Sequence, residues 1–103
     1  RVFEALGVVK ATGKLRKGTN EVTKAVERGE AKLVVVAKDV NPKEIVMHLP
    51  LLCEEKNILI VEVPTREELG SASGLNVPTV AVAIVQEGDA KKLLKELNDD
   101  LRR

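Results

Sequence analysis

Lys14-Leu15-Arg16-Lys17-Gly18-Thr19-Asn20-Glu21-Val22-Thr23-Lys24-Ala25-Val26-Glu27-Arg28-Gly29 leads a basic turn through a glycine into a short helix. Thr19 and Asn20 both suit an N-cap, Val22, Ala25 and Val26 share one face, and Gly29 offers a C′ stop. The free N–H groups and positive dipole end of such a helix face whatever sits over Gly18, where the missing Cβ admits an anion closely. A phosphate-bearing partner is the reading that follows. Gly13 and Gly18 have the spacing of a nucleotide-triphosphate cradle, but that loop requires Lys and then Ser/Thr after its second glycine, and Thr19-Asn20 stand there instead. The competing reading is a capped surface helix with solvated charges.

The pattern of groups favours a ligand. Asn20 and Lys24 are four residues apart and share a flank of the helix, with Glu21 beside them at its start. Phosphate alone would call for cations. A base edge such as that of guanine presents O6 and N7 acceptors together with N–H donors that a carboxylate accepts. A carboxylate inside a basic site therefore points to bases being read.

With 103 residues and 44% hydrophobic content, the sequence is expected to form one domain, residues 1–103, with a substantial core. One Cys and one His rule out a disulfide framework and a Cys/His zinc site, so no metal or cofactor is expected, and Cys53 reads as a buried residue in a reducing, intracellular setting. No apolar run is long enough to span a bilayer and the first residues do not resemble a signal peptide, which gives the expectation of a cytoplasmic protein. The net charge of +1 argues against an all-round basic coat. Its distribution is uneven: Lys10 to Lys32 holds seven Lys/Arg against three Glu, whereas Asp39 to Ser71 holds three against seven Asp/Glu. One basic face and one acidic face suit a protein that grips RNA on one side.

Val2 to Ala11 places Phe3, Leu6 and Val9 at helical spacing. Lys32 to Ala37, with Leu33-Val34-Val35-Val36, reads as a central strand, Ile58 to Val63 as a second and Thr79 to Val85 as a third. Asn41-Pro42-Lys43-Glu44 opens a helix with Ile45, Val46, Leu49 and Leu52 on its apolar face, and Pro50 should kink or split it near His48-Leu49. Thr65-Arg66-Glu67-Glu68 is a capping box for a short helix ending within Ser71-Ala72-Ser73-Gly74, and Glu87-Gly88-Asp89 opens a last helix striped by Leu93, Leu94, Leu97 and Leu101. Helix and strand alternate throughout. The expected architecture is a three-layer α/β/α sandwich around a mostly buried sheet.

Gly74-Leu75-Asn76-Val77-Pro78 presents two aliphatic side chains just before a strand, stiffened by proline. It reads either as a tight connection with Leu75 and Val77 in the core or as an apolar platform for an extruded base. His48 reads as a structural residue at a helix bend rather than a catalyst. No nucleophile, base and orienter recur together, so no catalytic residue is assigned and an enzyme is not expected.

Lys17 to Gly29, together with Asp39-Val40-Asn41-Pro42, His48-Leu49-Pro50-Leu51-Leu52-Cys53-Glu54-Glu55-Lys56 and Leu69-Gly70, resembles the kink-turn-binding ribosomal protein family, in particular its archaeal large-subunit members. The similarity runs from about Gly13 to Gly88. It implies a mixed central sheet of about four strands and binding to RNA kink-turns, where tandem sheared G·A pairs adjoin a bent three-nucleotide bulge. The strand that such proteins carry before the first helix is not evident in the sequence. By matching residues, the resemblance implies that Asn20, Glu21 and Lys24 read guanine edges and that Gly18 and Thr19 give backbone contacts. Lys14, Lys17 and Arg28 would neighbour phosphates, and Leu75, Asn76 and Val77 would form the loop packed on the extruded nucleotide. Asn76 and Lys38 stand where relatives commonly carry an acid.

Similar proteins serve in the large ribosomal subunit, in box C/D and H/ACA guide-RNA particles and with ribonuclease P in tRNA processing. The implied partners are therefore ribosomal RNA, guide RNA or ribonuclease P RNA and other proteins of those particles, with no membrane and a monomer when free. A protein–protein scaffold using the acidic face, or an accessory RNA-binding domain of an RNA-modifying enzyme, are the alternatives.

Overall fold

In the computed structural model, which describes residues 2–40, 44 and 46–101, four strands form one mixed sheet. They are β1 (Lys14–Lys17), β2 (Leu33–Ala37), β3 (Ile60–Val63) and β4 (Ala81–Gln86), in the spatial order β1-β4-β2-β3. β4 runs antiparallel to both β1 and β2, and β2 runs parallel to β3. The helices are α1 (Val2–Thr12), α2 (Thr19–Glu27), α3 (His48–Glu55), α4 (Arg66–Ala72) and α5 (Lys91–Leu101), the last entered through a single 3-10 turn at Gly88–Ala90.

Every residue of β2 is buried, as expected for a strand covered on both faces. Leu33 and Val35 face a core formed with Leu6 and Val9 of α1, Leu69 of α4 and Leu94 and Leu97 of α5. Val34 and Val36 face the opposite core, with Val22, Ala25 and Val26 of α2 and Leu49 and Cys53 of α3. β4 divides in the same way: Val82 and Ile84 serve the first core, while the small Ala81 and Ala83 lie in the second, beneath α2 and α3. The three-layer sandwich with a mixed sheet of four strands expected from the sequence is the fold observed.

Two local expectations change and one is met. The fourth strand precedes α2, not the first helix: it is Lys14–Lys17, the stretch read as a basic turn. That strand pairs only with β4, through a bulge between Lys14 and Leu15, and its charges keep the sheet edge from pairing further. The break expected near His48-Leu49 is present, since α3 starts at His48; Pro50 thus falls in its first turn, where a missing N–H breaks no intrahelical bond. Asn41, Pro42, Lys43 and Ile45, read as part of that helix start and face, lie outside the described residues, as does the side chain of Leu101. Finally, Gly18 rather than Thr19 or Asn20 is the N-cap of α2.

Other boundaries stand close to their expected places. Thr65 caps α4, its hydroxyl accepting from the Glu68 amide at 3.1 Å. Gly29, at φ 71°, closes α2, with its own amide reaching the Val26 carbonyl and that of Glu30 reaching Ala25, the paired bonds of a Schellman stop.

Candidate nucleic-acid interface

Gly18 adopts φ 94°, ψ 150°, a conformation essentially closed to residues with a Cβ. Its amide donates to the Ala81 carbonyl at 2.9 Å, which ties the start of α2 to the start of β4. Its carbonyl accepts from the Val22 amide at 2.9 Å, so the helix begins at once. No side chain caps this end, and among the described residues the amides of Thr19, Asn20 and Glu21 have no partner. Nothing of the protein lies within 4 Å of where a Cβ on Gly18 would be. The helix mouth is open. The contrast is α4, where two first-turn amides meet side chains: Thr65 Oγ1 accepts from Glu68 and Asp39 Oδ1 accepts from the Arg66 amide at 2.8 Å.

Asn20, Glu21 and Lys24 are all exposed beside that mouth. Glu21 and Lys24 approach to 3.9 Å with more than half of each side chain in solvent, a loose pair contributing little and leaving both groups free to meet a ligand. Lys17, the last residue of β1, is exposed immediately before Gly18. Both β1 and α2 lead away from Gly18, so Lys14 and Arg28 lie at the far ends of their elements, roughly 13 Å along the helix in the case of Arg28. Arg28 is the C-cap, where a cation also suits the helix dipole.

The second part of the candidate interface is the loop before β4. Thr79, buried, donates its hydroxyl to the same Ala81 carbonyl that holds Gly18, at 3.2 Å. One oxygen thus fixes the loop exit and the helix entry together. Backbone bonds from the Leu75 amide to the Gly70 carbonyl and from the Thr79 amide to the Arg66 carbonyl press the loop onto α4. Gly70 makes this possible, because a Cβ there would collide with the Val77 carbonyl oxygen. Val77 is 61% exposed, which excludes its placement in the core, and Leu75 is half-buried. Leu75, Asn76, Val77 and Pro78 line a shallow depression on this surface with Glu67 and Ser71.

Thr19, Asn20, Glu21, Lys24 and Lys17 therefore surround one open helix end, and Thr79, at the exit of the loop that carries Leu75, Asn76 and Val77, shares the Ala81 carbonyl with Gly18. Lys10, which the sequence did not single out, lies beside this loop. Its aliphatic stem crosses the start of the loop, with Cδ 2.6 Å from where a Cβ on Gly74 would be, so its exposed side chain adds a cation from α1. No local signal marks it, since the contact joins residues more than 60 positions apart.

Burial pushes the Cys53 thiol up from 9.0 to about 11, so it stays protonated and serves as core. Among the described residues, no three His, Cys, Asp or Glu side chains gather to hold a metal ion, and no helix is long and apolar enough to cross a membrane.

The chain matches a known class over most of its length. The chain belongs to the ribosomal protein L7Ae/L30e/S12e/Gadd45 family, whose model matches residues 1–94. Among solved structures it is similar to a Giardia lamblia 15.5kD RNA binding protein, with a TM-score of 0.92 and 32% identity over 98% of this chain and 84% of that one. The ribosomal family read from the Lys17–Gly29 motif is the family found.

Proposed function

We propose that this chain binds RNA as a ribonucleoprotein component, and that its target is the kink-turn. The observation that carries the proposal is the pairing of an uncapped helix end, edged by Asn20, Glu21 and Lys24, with an exposed aliphatic loop at Leu75 to Val77. Free amides and Lys17 suit phosphate, the mixed side-chain edge suits guanine, and Val77 offers an apolar surface to an unstacked base. Family membership and the RNA-binding relative support the broader half of the reading.

The protein performs no reaction in this account. It holds a bend, which requires tighter binding to bent RNA than to its open form, and so nucleates assembly in the large ribosomal subunit and in guide-RNA or ribonuclease P particles. Met47 and Leu51, 64% and 65% exposed, supply apolar contacts for proteins of the same particles. We take the free protein as a cytoplasmic monomer. Titrating one kink-turn and one plain duplex of equal length at physiological salt tests the core claim. Much tighter binding of the kink-turn is expected, because an A-form duplex hides its base edges in a deep, narrow groove. Equal affinity refutes it.

A further inference from the structure

Thr23, one turn into α2, has its hydroxyl oxygen 2.7 Å from the Thr19 carbonyl oxygen and 2.8 Å from Nε2 of His48. The Thr19 carbonyl can only accept, so the single hydroxyl proton of Thr23 goes there. Nε2 of His48 must then carry a hydrogen and donate it to Thr23. That assignment fixes the tautomer.

The result is a relay from the first residue of α3, through Thr23, to the first residue of α2. A hydroxyl bonded back to the carbonyl four residues earlier sets the local bend of a helix, and successive hydrogen bonds strengthen one another. His48 is itself held firmly, because the adjacent Leu49 is fully buried with Val22 and Val26 of α2. Thr19 begins the turn whose amides are free and whose side chains, Asn20 and Glu21, form the proposed base-reading edge.

We propose that His48 is a positioning residue for RNA recognition: by donating to Thr23 it holds the first turn of α2 in the geometry that meets the bases. The proposal rests on the kink-turn reading above. Exposed as it is, His48 contributes here through orientation rather than through the core.

Four variants test it in the full chain: His48→Leu, His48→Gln, Thr23→Val and Thr23→Ser. His48→Leu and Thr23→Val should each weaken kink-turn binding by roughly 3- to 10-fold, the worth of one hydrogen bond, with faster dissociation and unchanged duplex affinity. The double variant should be no worse than either single one. His48→Gln and Thr23→Ser, which keep a donor and a hydroxyl, should recover most of the loss. In the absence of RNA, the Val22 and Thr23 amides should exchange faster in His48→Leu than in wild type. Unchanged exchange at those amides overturns the proposal whatever the RNA result. So does additive loss in the double variant, or failure of Gln to rescue. A wild-type protein with no preference for the kink-turn would instead remove the reading on which the proposal stands, and the proposal with it.

Discussion

The Gly18 amide donates to the Ala81 carbonyl at 2.9 Å, and that oxygen also accepts the Thr79 hydroxyl at 3.2 Å. One acceptor therefore ties the open end of α2 to Thr79, the exit of the loop that carries Leu75 and Val77. A ligand spanning both meets a surface already assembled, which lowers the ordering cost of binding.

Gly18→Ala tests that arrangement. The added methyl has open space, so its cost lies wholly in a φ of 94° that alanine resists, and stability should fall by about 1–3 kcal/mol. Chemical denaturation measures this. Kink-turn affinity should fall as well, because relaxing Gly18 re-aims the Thr19 and Asn20 amides. A variant as stable as wild type would mean that the backbone accepts another conformation at no cost.

The loop should separate stability from recognition. Val77→Ala removes an exposed side chain and should leave the unfolding midpoint within about 0.5 kcal/mol of wild type, whereas Leu75→Ala costs more because it is half-buried. Both should weaken kink-turn binding modestly. Phe3 is the only aromatic residue, so aliphatic packing must replace base stacking. Gly70→Ala should weaken binding too, by driving the Val77 carbonyl off α4. Asn76→Glu should reduce affinity through repulsion of nearby phosphate. Titrations of the four variants against one kink-turn decide it, and wild-type affinity throughout would make the loop merely structural.

The fold was legible where local chemistry and tertiary role agree. Leu33 to Val36 is buried on both faces and reads as a strand without context, and Thr65-Glu68 caps its helix as its spacing implies. β1 was hidden because three of its four residues are charged and exposed, so it is a strand only through its pairing with β4. Thr19 and Asn20 look like caps, yet the backbone at Gly18 turns the chain before them and leaves their side chains outside the capping position. The candidate site could be proposed from sequence where it is contiguous, from Lys17 to Lys24. The contacts of Lys10 with Gly74 and of His48 with Thr23 exist only once the sheet brings distant segments together.

Cys53 gives a pH signature of the core. Its folded value of about 11 lies above the unfolded 9.0, so the unfolded chain releases the proton first. Stability from this group is complete below about pH 9 and declines as pH rises toward 11, by up to roughly 3 kcal/mol. The chain has no tyrosine to confuse that window. Urea titrations from pH 8 to 11 under reducing conditions should show the decline in wild type and a flatter curve in Cys53→Ala. Parallel curves would mean that the thiol ionises alike in both states.

Lys10 should register in salt dependence rather than in specificity. If its ammonium meets phosphate beside the loop, Lys10→Ala lowers the slope of log K against log salt by about 0.7 to 0.9, while Lys10→Arg preserves it. Unfolding should barely change, since the side chain is exposed. An unaltered slope would leave Lys10 as a cover for Gly74 and nothing more.

Glu21 sets charge against readout. Were the α2 mouth only a phosphate trap, deleting its carboxylate would strengthen RNA binding, because a negative charge near a polyanion is repelled. If Glu21 accepts from a guanine, its loss strands base donors in a desolvated site at about 1–3 kcal/mol. The two models differ in sign. Its contact with Lys24, 3.9 Å in solvent, is too weak to mask the difference. Glu21→Ala should therefore weaken kink-turn binding by roughly 5- to 150-fold while duplex binding holds or rises slightly. Lys17→Ala should instead weaken both RNAs in parallel and flatten the salt slope by about one charge. Measured on both RNAs across a salt series, a Glu21→Ala protein that grips the kink-turn more tightly would return α2 to an ordinary solvated helix.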